Sequence, residues 1–111
     1  MLIVPLQAFP AQTVVIGLNN QNCQINVYQK STGLFLDLYL SGSFASSTYN
    51  LIVGGVICEN LVRIVRDTYF GFIGDLCWID QHGSSDPTYD EIGSRYLLCY
   101  LLPSEVNSDS Y

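Results

Sequence analysis

At 111 residues, with ten acidic and four basic side chains, the chain has the size of one domain and a formal net charge of −6. Its bases, Lys30, Arg63, Arg66 and Arg95, are too few and too scattered to neutralise a phosphate backbone or grip an anionic lipid surface. That excludes direct nucleic-acid binding and electrostatic membrane attachment.

Leu2 to Gln7 reads as a first short strand, with Pro5 tolerated only at a sheet edge. Gln12 to Leu18, rich in Val and Ile, is a second. Asn19 to Asn22 is a hairpin turn, because asparagine accepts positive φ. Cys23, Ile25 and Val27 then alternate with Gln24, Asn26 and Tyr28, the pattern of a half-buried strand. Ser31-Thr32-Gly33 makes the next turn. Leu34, Leu36, Leu38 and Leu40 alternate with Phe35, Asp37 and Tyr39, the cleanest period-two signal in the chain. The leucines define the core face; Asp37 faces outward or meets a partner. Ser41 to Ser47 is a loop. Leu51 to Cys58 is a strand that Gly54-Gly55 interrupts with a bulge or bend. Leu61 to Asp67 fits one turn of helix or a short strand.

The last third, Phe70 to Leu102, reads as two strands joined by one polar loop. Phe72, Gly74, Leu76 and Trp78 alternate with Ile73, Asp75, Cys77 and Ile79. After Asp80 the composition turns to Gln, His, Gly, Ser and Asp ahead of Pro87, which is turn chemistry. Period two returns with Tyr96, Leu98 and Tyr100 against Leu97, Cys99 and Leu101. Short strands separated by turns, with no amphipathic helix of normal length, predict an all-β fold: a small antiparallel β-sandwich or barrel-like domain over residues 1–103. Residues 104–111 are a polar, acidic tail.

Charged residues make up only 13% of the chain, against roughly 25% in an average domain, while tyrosine contributes 8 residues. Tyrosine is favoured where one side of a residue is packed and the other wet. The composition fits a subunit that buries surface against partners, with a Ser/Thr/Asn/Gln-covered monomer as the plainer alternative. No run reaches the about 20 apolar residues of a membrane-spanning helix, so membrane insertion is not expected. The apolar start MLIVPLQAFPAQ lacks a basic segment and is interrupted by Pro5 and Pro10, which makes a poor signal peptide.

Residues that carry chemistry are sparse. His82, the one histidine, lies between Asp80 and Asp86, where a metal or acid–base site is conceivable; an exposed loop histidine is the simpler reading. Asp86, Asp90 and Glu91 lack the alternating ligands and central glycine of a calcium loop. Gly54-Gly55, Gly71 and Gly74 lack the lysine and spacing of a phosphate loop, and fit tight bends instead. Cys23, Cys58, Cys77 and Cys99 are too far apart in sequence for a zinc site and sit within apolar strands, as buried free thiols do. Pairing of Cys77 with Cys99 would require an oxidising compartment. Neither a cofactor nor an enzymatic activity is expected.

The loop from Asp80 to Arg95 is several times longer than the about 2–5 residues that usually join antiparallel strands, and long ordered loops tend to be functional. Its candidate interface residues are Tyr89 and Ile92 as apolar anchors exposed in the free chain, Asp86 and Asp90 as rim acceptors, and Arg95 as a bidentate clamp. Arg95 has an alternative role inside the chain, pairing with Asp75, Asp80 or Asp86. Phe35 and Tyr39 are candidates on the sheet.

Several short motifs follow one another along almost the whole chain: Val4-Pro5-Leu6, Pro10-Ala11-Gln12, Thr32 to Tyr39, Gly54 to Cys58, Gly74-Asp75-Leu76, Asp80 to Gly83, Asp86-Pro87-Thr88-Tyr89 and Gly93-Ser94-Arg95-Tyr96. In this order they resemble the baseplate plug proteins of contractile-tailed phages. The resemblance implies a structural virion subunit in the tail baseplate, made in the host cytoplasm. It would plug or bridge the hub–tube junction through contacts with hub, tube or sister copies, as a homo-oligomer within the assembly. A small soluble ligand-binding β-barrel is the alternative from another class.

Overall fold

The fold is that of a computed structural model, which describes residues 2–19, 21–41, 49–65 and 74–102. Seven strands form two antiparallel sheets: β1 (Leu2–Val4), β2 (Ala11–Leu18), β3 (Gln21–Lys30), β4 (Gly33–Ser41), β5 (Tyr49–Ile57), β6 (Asp75–Asp80) and β7 (Tyr96–Leu101). The larger sheet has the order β2-β3-β4-β5, and the smaller one β1-β7-β6.

Local sequence explains the larger sheet. Asn19 adopts φ 51° in the tight turn that pairs Leu18 with Gln21, which an asparagine permits at little cost. Lys30 pairs with Gly33, leaving Ser31 and Thr32 to turn the chain. Between these turns Cys23, Ile25 and Val27 face Leu40, Leu38 and Leu36 across the ladder, all of them buried except the half-buried Leu40. The Gly54-Gly55 bulge is present: Leu36 pairs with Val56 but Leu38 with Val53, so β5 carries an extra residue there, and Gly55 sits at φ 61°. A second slip follows between Leu38 and Tyr39.

In the smaller sheet Leu76, Trp78 and Asp80 stand opposite Tyr100, Leu98 and Tyr96. These face the leucines of the larger sheet, and one continuous buried cluster contains Leu18, Ile25, Leu36 and Leu38 together with Trp78, Leu98 and Tyr100. Two layers with one shared core make a sandwich, and the shortest dimension of the molecule, 21 Å, fits two sheets stacked about 10 Å apart plus their outer side chains. At Gly74, φ is +98° and a Cβ would run into the Leu101 carbonyl and the Tyr100 hydroxyl, so only glycine fits that approach.

Some expectations change here. The first strand ends at Val4, not Gln7, since Pro5 has no N–H to continue the ladder. Residues 61–65 form neither a helical turn nor a strand; they run beside β6, with Leu61 N–H donating to the Trp78 carbonyl (2.8 Å) and Ile64 N–H to that of Leu76 (2.9 Å). Long-range bonds, not local periodicity, place them. Both faces of β6 are covered, for Asp75 and Cys77 are buried as well as Leu76 and Trp78. Ser41, expected to open a loop, instead closes β4 and is buried; the rest of that loop at 42–47, the alternation at Phe72 and Ile73, residues 66–67 and the tail at 104–111 lie outside the described residues. The four cysteines are buried thiols outside any disulfide. Burial pushes the Cys58 thiol up to about 12 and that of Cys23 to about 11, so neither is a reactive thiolate at neutral pH.

Candidate functional site

The long loop is built around one carboxylate. Asp80 closes β6 with its side chain wholly buried. Its Oδ1 accepts from the His82 N–H (2.9 Å) and Arg95 Nε (2.8 Å), and its Oδ2 from the Ser85 N–H (2.8 Å) and Arg95 Nη2 (3.0 Å). The fork-on-fork geometry is the one that arginine makes and lysine cannot. The Arg95 guanidinium, helped by the two backbone donors, holds the Asp80 carboxyl well below the usual carboxylate range. Arg95 also reaches Ser85 Oγ (3.2 Å) and Glu91 (3.5 Å), and its guanidinium lies 5.1 Å from the centre of the Tyr96 ring. Gln81 closes the neck of the loop, donating from its N–H to the Arg95 carbonyl (2.9 Å) and from its side chain to Ser94 (2.8 Å).

Asn60 anchors the loop from outside. Its Oδ1 accepts from the Asp80 N–H (2.8 Å) and its own N–H donates to Asp86 Oδ1 (3.1 Å). The neighbouring Leu61 sits at φ 61° and is 67% exposed. A left-handed leucine stores strain of about 1–2 kcal/mol, here held by its bond to Trp78. Nothing in the sequence singled out Asn60 or Leu61, because their partners are distant in the chain.

The candidate residues divide. Asp86 and Asp90 are exposed, and Asp90 accepts from Thr88 Oγ1 (2.6 Å) at the start of a short 3₁₀ turn, Tyr89–Glu91. Tyr89 is half-buried against the core. Ile92 is a correction: it is 4% exposed and belongs to the core cluster, because the turn at Gly93 (φ 92°) folds it under the loop. Arg95 is bound to Asp80 of its own chain, the intrachain role among those weighed. The His82 side chain is exposed, and the carboxylates of Asp80 and Asp86 are directed to donors of the protein. Among the described residues no cluster of three or more His, Cys, Asp or Glu could hold a metal ion.

Phe35 and Tyr39 lie half-buried on the outer face of the larger sheet, with Asp37 between them. Asp37 Oδ1 accepts from the Tyr28 hydroxyl (2.8 Å) and the bulge N–H of Gly55 (2.7 Å); Tyr28 stacks on Phe35 with ring centres 6.1 Å apart. Leu51 and Ile57 stand opposite Tyr39 and Phe35, and both are exposed. The face is thus aromatic and aliphatic, with its central carboxylate already paired.

A buried ion pair, a satisfied loop and an apolar outer face describe an assembly part. The family described as "Cyanophage baseplate Pam3 plug gp18" matches residues 1–103. The chain belongs to this baseplate plug family. No curated protein matches it.

Proposed function

We propose that the chain is a structural, non-enzymatic subunit of a contractile phage tail. In this reading it plugs or bridges the junction between hub and tube through protein–protein contacts with hub, tube and copies of itself. The family match along residues 1–103 is the observation that carries the reading. The outer face of the larger sheet supports it: Phe35, Tyr39, Leu51 and Ile57 offer contiguous apolar area that an isolated domain would cover with charge. The loop rim adds Tyr89, Asp86 and Asp90. Ile92 and Arg95 act from within, by fixing the loop in one shape so that docking costs little ordering.

The test is incorporation. Tyr39→Lys with Leu51→Lys places two charges on the outer face and leaves the core untouched. The expected result is a normal melting curve for the free chain and at least a tenfold loss of copies per purified tail, measured by quantitative mass spectrometry. Normal incorporation would remove this face from the interface.

A further inference from the structure

The larger sheet ends in an edge that nothing in the sequence protects. The Gln29 N–H donates to the Pro10 carbonyl (2.7 Å), and the register Ala11↔Tyr28 continues without a slip to Leu18↔Gln21. Antiparallel ladders alternate, so Gln12, Val14, Ile16 and Leu18 turn their backbone groups toward β3, and Ala11, Thr13, Val15 and Gly17 turn theirs outward. Those same four residues are exposed, Val15 at 57%. Among the described residues no backbone group pairs with them. Natural edges are blunted by charge, proline or bulges. β2 has none of these inside it, and the first 29 residues of the chain contain no Asp, Glu, Lys, Arg or His at all.

We propose that β2 pairs with β2 of a second copy of this chain, antiparallel about a two-fold axis at Val14, joining two four-stranded sheets into one. Neutrality favours a second copy over a different partner. About an axis at Val14 each residue of the strand faces another residue of the same strand, so β2 must suit itself along its whole length, and it carries no like charges to repel one another. Two chains of net charge −6 meet at β2 without bringing like charges together. In this register Thr13 exchanges both backbone bonds with Val15 of the second copy, and Ala11 with Gly17. Val14 meets Val14 on the inner side, where it and Ile16 are only partly buried against the core. The other edges do not fit. β5 is bulged twice and turns at Gly55, so a head-to-tail ring through β2 and β5 lacks a straight strand. β1 is only three residues long.

The pairing supplies the self-association that the plug reading expects, and rests on that reading only for its place in the tail. Sedimentation velocity of the full chain, from low to high micromolar concentration, is the test. The expected result is a species of twice 12.4 kDa. Val15→Lys and, separately, Val15→Pro, which deletes an outward N–H and no bond to β3, should each weaken it at least tenfold with little change in melting temperature. Leu51→Lys, at the bulged edge, should leave it intact. Val14→Cys should form an intermolecular disulfide under mild oxidation, since the two Val14 positions would form a non-hydrogen-bonded pair about 4.5 Å apart. A wild-type monomer throughout, a dimer that survives both Val15 substitutions, or one dissolved by Leu51→Lys would overturn the proposal. A chain that dimerises in this way yet never enters tails would sink the plug reading and leave the edge pairing standing.

Discussion

The two sheets treat their edges differently. In the smaller sheet β6 is covered by residues 60–65, which bond to the Trp78 and Leu76 carbonyls, and the neighbouring loop is tied down by Asn60 and by Asp80 with Arg95. In the larger sheet no strand among the described residues pairs with the outer edge of β2, and the outer face carries exposed Val15, Leu51 and Ile57. One sheet spends its polar side chains on its own order. The other holds back almost all charge and leaves its backbone and apolar surface to others. Disturbing the first should therefore appear as lost stability, and disturbing the second as lost assembly.

The largest stability effect is expected at Trp78, wholly buried between the sheets: Trp78→Ala should cost about 3–5 kcal/mol in urea melts. Leu36→Ala and Leu38→Ala follow, each at about 2–5 kcal/mol. Asp37→Ala, on the opposite face, should cost less than either leucine, and equal damage would mean that the two faces are reversed. Gly74→Ala comes next, at more than about 1 kcal/mol, because it adds a clash to a positive φ.

The loop gives a pH test. Asp80 is held below its ordinary value when folded, so its contribution is full above the unfolded carboxylate pKa of about 3.9 and is lost as pH falls toward the lower folded value. Wild-type protein should lose stability between neutral pH and about pH 3, and Asp80→Asn should begin less stable and lose less over the same interval. Equal pH slopes for the two proteins would mean that Asp80 is not the group responsible. Within the loop, Ile92→Ser should lower the melting temperature clearly and Tyr89→Ser only slightly, as their burial differs.

Much of this contrast could be read along the chain. The leucines from Leu34 to Leu40 display their face because a strand's period is two. Asn19 and the Gly54-Gly55 pair mark a turn and a bulge because their backbone freedom is local. What stayed hidden depends on which elements become neighbours. Arg95 had three acidic candidates, and the choice of Asp80 follows from the register that sets Asp80 opposite Tyr96. Ile92 is a single apolar residue in a polar loop, with no periodicity to announce its burial. The segment after Cys58 is shaped by bonds to β6, and the exposure of β2 depends on strand order, which no short window contains.

The central claim is that the open sheet carries the main assembly contact and the locked loop adds only a rim. Hydrogen–deuterium exchange of the chain, free and within purified tails, tests it most directly. The account predicts that the outward amides of β2, at Ala11, Thr13, Val15 and Gly17, become strongly protected in the tail, while Gln81, bonded to the Arg95 carbonyl, is already protected in the free chain and changes little. Protection gained only in residues 81–95, with β2 exchanging as fast in the tail as outside it, would contradict the account.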